Sequence, residues 1–397
     1  MWDAFKQALL GAETEDPALE MRLAEVRERL PVPVFWLLGK AQSGKTSVIR
    51  ALTGNSRAEI GDGFRPCTRT ARLYDFPDNE SPFLRFLDTR GLGEVDYDPA
   101  EDLALFREQA HLLMVVVKAM DHAQQAVLDT VREIHRQRPD WPLVVVQTTL
   151  HEGYPDPGMD HPTPYPFASE PFPATVPRDL ARSLEHQRAQ FAGLGAHFVA
   201  VDFTLPEDGY QPANYGVDAL WETIETVLPL GLAAMVRDSG LWESTVGSAG
   251  RSAHPHVVGH SLLAAAVAAI PVPFLDIPLV TLVQTRMFHI VARCHGQRFD
   301  REYFSELSGV LGISLLARLG RRELTKLIPG YGIAVATVYT GATTYALGQT
   351  LSAYLSYRQR GGEPDEAMFR KLYAQQFEEG KALIREYLSR AREQPPS

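Results

Sequence analysis

Cysteine is almost missing from this chain, with only Cys67 and Cys294 in 397 residues. That scarcity excludes a disulfide framework and a paired-cysteine zinc ribbon, and it points to a reducing, cytoplasmic setting. A basic-then-apolar leader is also missing from the first residues. Trp2, Phe5 and Leu9, then Leu19, Leu23, Val26 and Leu30, instead recur at helical spacing around Pro17, which predicts a helical arm over residues 1–31. Basic charge is not in excess: the formal net charge is -10, so no basic stripe is available for broad nucleic-acid binding. Pure apolar runs are lacking as well. Ser252 to Leu275 holds no Asp, Glu, Lys or Arg, and Leu327 to Tyr357 holds no charge at all. Each has the roughly 20 residues that a bilayer crossing needs. Yet Pro271, Pro273, Asp276 and Pro278 interrupt the first region, and Gly330, Gly332, Gly341 and Gly348 dilute the second.

What is present is a phosphate cradle. Gly39-Lys40-Ala41-Gln42-Ser43-Gly44-Lys45-Thr46-Ser47 follows the apolar run Val32 to Leu38 and leads into a helix-compatible stretch. A strand delivers such a loop, and its glycines let backbone N–H groups curl around an anion. Lys45 then reaches the outer phosphates and the Thr46 hydroxyl takes Mg²⁺. Thr68, within Arg65-Pro66-Cys67-Thr68-Arg69-Thr70, stands where a threonine closes over the terminal phosphate and the metal. The run Phe83 to Leu87 ends in Asp88-Thr89-Arg90-Gly91, placing a carboxylate where it holds Mg²⁺ and the Gly91 N–H where it meets the γ-phosphate. Further apolar runs, His111 to Val117, Leu143 to Val146 and His197 to Val201, alternate with the helical patterns Ala123 to Arg138, Arg178 to Leu194 and Val217 to Leu228. That alternation predicts an α/β fold: a mostly parallel sheet covered by helices on both faces.

The loop, Thr68, the Asp88-to-Gly91 segment and the strand order resemble a small P-loop GTPase domain of the Era and TrmE type, over roughly Val32 to Pro229. The resemblance implies a Ras-like domain that binds GTP and GDP with Mg²⁺. It assigns catalytic roles to Lys45, Thr68 and Gly91, and metal roles to Thr46, Thr68 and Asp88. Such enzymes usually read guanine with Asn-Lys-x-Asp, a motif this chain lacks. After Leu143 to Val146 stands Gln147-Thr148-Thr149-Leu150-His151-Glu152. An alignment ending on Glu152 puts Thr149 at the Asn position and Glu152 at the acidic one, whereas a gapless alignment puts His151 there. Leu92 replaces the water-orienting glutamine of many regulatory GTPases, which predicts slow intrinsic hydrolysis; Glu94, Arg90 and Arg69 are nearby candidates for charge stabilisation. Gln42 replaces the asparagine that holds K⁺ in some related enzymes, a departure from the pattern of K⁺ activation.

Prolines crowd residues 151–177 and forbid helix and strand interiors there. Interleaved Tyr154, Tyr165, Phe167 and Phe172 predict a loop packed near the base pocket, either a lid or a passive insertion. The expected division is a helical arm (1–31), a GTPase domain (32–232), a linker (233–256) and an all-α domain (257–397). The last resembles an uncharacterised helical domain fused to bacterial GTPases and sometimes described as membrane-associated. Gln284 to Lys326 carries eight Lys or Arg against four Asp or Glu, a reversal of sign that an anionic membrane surface would favour. His254, His256 and His260 lack a carboxylate or cysteine partner at ligand spacing and read as interfacial residues rather than metal ligands. Phe369, Tyr373, Phe377, Ile384 and Leu388 share one helical face, which predicts docking against a neighbour. The expected function is a switch whose nucleotide state controls contact of the helical domain with a membrane surface at the inner face of the cell membrane, or with a protein partner or second copy. The alternative is a non-enzymatic nucleotide-binding scaffold.

Overall fold

The computed structural model describes residues 17–30, 32–54, 64–66, 71–89, 110–168, 170–204, 208–228, 243–270, 276–299, 332–362 and 365–393. The chain forms two compact units. One comprises Val32–Phe76 and Leu84–Ala233; the other comprises Met1–Pro31, Pro77–Phe83 and Ala234–Pro395. The first described helix, α1 (Pro17–Glu28), belongs to the second of these units.

The first unit is an α/β layer structure. In chain order it holds β1 (Val34–Leu38), α2 (Lys45–Thr53), β2 (Phe64–Pro66), β3 (Ala71–Phe76), β4 (Leu84–Thr89), β5 (Leu112–Lys118), α3 (Gln125–Gln137), β6 (Leu143–Thr148), α4 (Arg178–Gln190), β7 (His197–Ala200) and α5 (Val217–Val227). The strands form one seven-stranded sheet in the order β2-β3-β4-β1-β5-β6-β7. From β4 to β7 the neighbours run parallel, while β2, β3 and β4 pair antiparallel. Every residue of β1 and β6 is buried, as expected for strands covered on both faces. On α3, Val127, Leu128, Val131 and Ile134 form one apolar stripe that packs on Trp36, Val115, Val145 and their neighbours. Trp36 meets Trp141 edge to face, with ring centroids 6.1 Å apart. The α/β fold and its mostly parallel sheet agree with the expectation from sequence.

The second unit is helical: α6 (Glu243–Ala268), α7 (Asp276–Cys294), α8 (Gly332–Gln359) and α9 (Glu366–Glu393) join α1. Helix α6 runs through much of the stretch read from sequence as a linker. Helix α8 packs against α6, α7 and α9. It has buried residues on every side, which is why its apolar pattern shows no face. Its glycines are points of close approach: a Cβ on Gly341 would lie 2.8 Å from the Ile384 side chain, and one on Gly348 would lie 2.7 Å from the methyls of Val257. Two of its buried threonines find polar partners: the Thr340 hydroxyl donates to the Ala336 carbonyl, and Thr344 Oγ1 accepts from Gln284. Among the described residues no helix is long and apolar enough to cross a membrane. On α9, Phe369 packs edge-on against Tyr354, and Phe377 against Tyr339.

The turn Pro77–Phe83 between β3 and β4 is part of this helical unit. Asp78 accepts hydrogen bonds from the backbone N–H groups of Glu80 and Ser81, both at 2.9 Å, and its other oxygen lies 2.9 Å from Nδ1 of His256. Ser81 Oγ lies 3.0 Å from Nδ1 of His260. Burial opposes ionisation of Asp78, but His256 and these backbone donors outweigh it and hold the carboxyl well below the usual range. His254 lies against Gln349. Each of the three histidines thus meets a polar side chain within the helical unit.

Candidate nucleotide-binding site

The loop between β1 and α2 wraps the N-terminus of α2. Gln42 has φ 61° and Gly44 has φ 98°, left-handed turns of the kind that let a loop close around an anion, and the Ser43 N–H between them donates to the Lys40 carbonyl at 3.3 Å. A Cβ at Gly39 would fall 2.3 Å from the Val116 carbonyl oxygen, which explains why glycine is needed there. Lys45 opens α2 and is buried; its Nζ donates to the carbonyls of Gly39 at 3.2 Å and Lys40 at 3.1 Å. An ammonium folded over its own loop, beside a helix N-terminus with unsatisfied N–H groups, is a site built for an anion. Ser43 Oγ is buried without a hydrogen-bond partner among the described residues. Thr46 and Ser47 follow in the first turn of α2.

Neighbouring elements hold this loop in place. Lys40 pairs with Asp121 at 2.7 Å. Burial works against the ionised Asp121, but the Lys40 bond and the Ala123 N–H keep its carboxyl below the usual range. Thr148 Oγ1, at the end of β6, donates to the Ser43 carbonyl at 2.8 Å, a contact across 105 positions that joins the base side of the site to the phosphate side. Asp88 stands near the C-terminal end of β4, in register with Leu37 of β1, beside the strand that delivers the phosphate loop. Thr89 Oγ1 donates to the Leu37 carbonyl and fixes that strand end. The donor set suits a phosphate chain with a divalent cation: Lys45 and the loop N–H groups for phosphate, and the Thr46 hydroxyl and Asp88 carboxylate for Mg²⁺. Thr68, Arg69, Arg90, Gly91, Leu92 and Glu94 lie outside the described residues.

On the base side, β6 runs into a short 3-10 turn, Leu150–Gly153, entered through Thr149 with φ 54°. Glu152 forms an ion pair with Lys118 of β5 at 2.9 Å. The His151 backbone N–H and its ring Nδ1 both lie 2.7 Å from Asp202 Oδ2. That bond is the main reason the His151 pKa is raised above its ordinary value; burial works the other way. Arg50 of α2 donates to the Phe203 carbonyl at 2.5 Å, which anchors the loop after β7. Residues 154–168 and 170–177 contain no helix or strand. Tyr154, Phe167 and Val176 are buried with Leu180 and Tyr215, and His161 stacks on Tyr215 at 4.5 Å. The packing of these aromatics agrees with the sequence-based expectation for the proline-rich stretch.

Thr148, Lys40 and Gln187 hold the site together in roles that sequence reasoning missed, whereas Asp202-Phe203-Thr204, after the last strand, reads from sequence as the loop that backs the base. Gln187 is fully buried on α4 and donates to the carbonyls of Lys118, Ala119 and Asp121, supporting the turn that carries Asp121. A polar residue on the inner face of an otherwise amphipathic helix is the one signal that could have marked it.

The phosphate loop, the parallel sheet and the strand-end carboxylate define a P-loop GTPase domain, and residues 34–148 match the family described as 50S ribosome-binding GTPase. The chain is also 34% identical over 154 residues to magnetosome membrane protein 22 of Magnetospirillum gryphiswaldense, across 35% of this chain and 76% of that protein, and belongs to the same family. Among solved structures it is similar to the bacterial selenocysteine-specific elongation factor EF-Sec, with 17% identity, TM-score 0.32, and coverage of 50% of this chain and 29% of that one. The G domain of the T. maritima FeoB iron transporter is 17% identical with TM-score 0.29, covering 49% of this chain and 98% of that one.

Proposed function

We propose that this chain is a guanine-nucleotide switch that binds GTP and GDP with Mg²⁺, hydrolyses GTP slowly, and uses its nucleotide state to govern a membrane or protein contact made by the helical unit. The observation that carries this reading is the built phosphate site: Lys45 buried over its own loop, the left-handed turns at Gln42 and Gly44, and the Thr148 tie to Ser43. In this reading Gly39, Gln42, Ser43, Gly44, Lys45, Thr46 and Ser47 hold the phosphates. Thr46, Thr68 and Asp88 serve the metal, and Lys45, Thr68 and Gly91 meet the transferred phosphoryl group. The segment Thr149 to Glu152 flanks the base. Hydrolysis would release the loops that carry Thr68 and Gly91, as γ-phosphate contacts do in switch proteins generally. Leu92 leaves water positioning to another group, which supports slow turnover. Era-type kinship belongs to this proposal, supported by the apolar residue at that position.

A membrane surface as the place of action is supported by the name of the M. gryphiswaldense relative and by the basic charge of Gln284 to Lys326. The reversal of charge favours a protein of the cytoplasmic side acting at the inner face of the cell membrane. A constitutive nucleotide-bound scaffold is the second reading, favoured by Leu92. Single-turnover hydrolysis of GTP by the full chain, beside Lys45→Ala, separates the two. Turnover above background that Lys45→Ala abolishes supports the switch. Tight binding with background hydrolysis in both supports the scaffold.

A further inference from the structure

We infer that His151 reads the purine edge and that Asp202 fixes what the imidazole offers to it. This rests on the guanine-nucleotide reading above and names its base-discriminating pair. Two donors, the His151 backbone N–H and ring Nδ1, converge on Asp202 Oδ2. A carboxylate can only accept, so Nδ1 carries a hydrogen. Asp202 is itself 1% exposed and locked by reciprocal backbone bonds with Tyr215, at 3.0 Å and 2.9 Å. Tyr210 covers one face of the His151 ring, with centroids 4.9 Å apart and planes inclined by 31°. Backbone bond, ring bond and stacked tyrosine together leave the imidazole one orientation. Its remaining polar atom, Nε2, has no hydrogen bond among the described residues, and the side chain keeps 26% of its surface exposed.

With hydrogen on Nδ1, neutral His151 presents a lone pair at Nε2. Guanine N1 bears a hydrogen and can donate to it, while adenine N1 bears a lone pair and is repelled. The neutral ring therefore does what a carboxylate does at a guanine site. Adding one proton reverses the preference, because Nε2–H then opposes the guanine donors and suits adenine N1. The charged and titratable groups around this ring are Asp202 after β7, Glu152 on its own turn, Asp208 in the following loop, His161 and Tyr154 of the proline-rich stretch, Tyr210, and Lys118, which pairs with Glu152. Among the described residues three carboxylates outnumber the cations, and they raise the imidazole's affinity for a proton. The change of preference therefore falls above the usual pH for histidine.

The test is competition of GDP and ADP against a fluorescent GDP analogue on the full chain with Mg²⁺, from pH 5.5 to 8.5, for the wild type, His151→Leu, Asp202→Asn and Lys45→Ala. In the wild type the GDP-over-ADP preference is expected to fall about tenfold or more as pH drops across this range, the scale of one buried hydrogen bond lost and one unpaired. Asp202→Asn keeps an acceptor for Nδ1–H but removes the charge, so its midpoint moves to lower pH. His151→Leu flattens the profile. A wild-type preference independent of pH, or an equal slope in His151→Leu, overturns the inference even where Lys45→Ala abolishes binding. Failure of GDP to bind at any pH overturns the guanine-nucleotide reading, and the inference falls with it. Should Asp202→Asn fail to fold, the His151→Leu comparison decides alone.

Discussion

Lowering the pH from 7.5 to 5 should weaken the helical unit chiefly through His260, with buried His295, whose pKa burial also lowers, acting in the same direction. Its ring is 1% exposed; Nδ1 faces the His256 carbonyl at 2.8 Å and Ser81 Oγ at 3.0 Å. Nε2 is buried without a partner among the described residues. A proton on Nε2 would be a buried charge with nothing to accept from it, and burial pushes the pKa down to about 4. In the unfolded chain the same ring titrates at about 6.5. Between these values the unfolded state binds the extra proton and the folded state does not. Stability is therefore complete above about pH 6.5 and declines as pH falls toward 4. The linkage integral comes to about 2 kcal/mol lost by pH 5 and about 3 kcal/mol by pH 4. Asp78 acts in a separate window: its lowered pKa contributes stability that persists above the unfolded carboxyl value and is lost only below it. Urea unfolding followed by far-UV circular dichroism should show the midpoint falling by about 1 M between pH 7.5 and 5. His260→Gln should lose most of that slope whatever its absolute stability. An equal slope in wild type and variant refutes the reasoning. Should the variant fail to fold, an NMR titration of the wild-type ring near 6.5 refutes it equally.

Two further outcomes follow from close contacts. Thr148→Val keeps the side-chain shape but removes the donor to the Ser43 carbonyl, so GDP affinity should fall about tenfold, with the melting temperature lowered by the cost of an unpaired buried carbonyl, about 1–3 kcal/mol; isothermal titration alongside thermal unfolding would check both. Gly348→Ala would drive a methyl against the branched Val257 side chain and near Met287, costing about 1–3 kcal/mol in the helical unit while GDP affinity stays unchanged. Denaturation curves on apo and GDP-loaded protein measure the two separately.

The parts of the fold that were legible in the sequence are those governed by local pattern. Residues 112–117 and 143–146 are unbroken apolar runs, as a strand buried on both faces reads. The phosphate loop was legible because its glycines answer a backbone requirement within nine residues. What escaped depends on register. Thr148 reaches Ser43 only because β1, β5 and β6 lie side by side, and Asp202 reaches His151 only because β7 pairs with β6. Neither proximity leaves a mark on a linear pattern. Strand β2 was hidden because three residues are too few to show a period, and β3 because Arg72 and Asp75 interrupt its apolar residues. The charge-free stretch around α8 reads from sequence as a candidate for membrane contact, because a helix buried all round in protein is as poor in charge as one in lipid. Gly341 and Gly348, which seemed to dilute its hydrophobicity, are where Ile384 and Val257 press closest.

The turn Pro77–Phe83 has a consequence for any attempt to divide this protein. A single cut near residue 233 yields neither half intact. The C-terminal fragment would lose Asp78 and Ser81, stranding His256 and His260, while the N-terminal fragment would carry the turn without the imidazoles it bonds. The seven residues of the turn are donated from the middle of one folding unit to the other. The gene therefore cannot be shuffled as two cassettes: a helical cassette would need Pro77–Phe83, which the chain supplies only between β3 and β4.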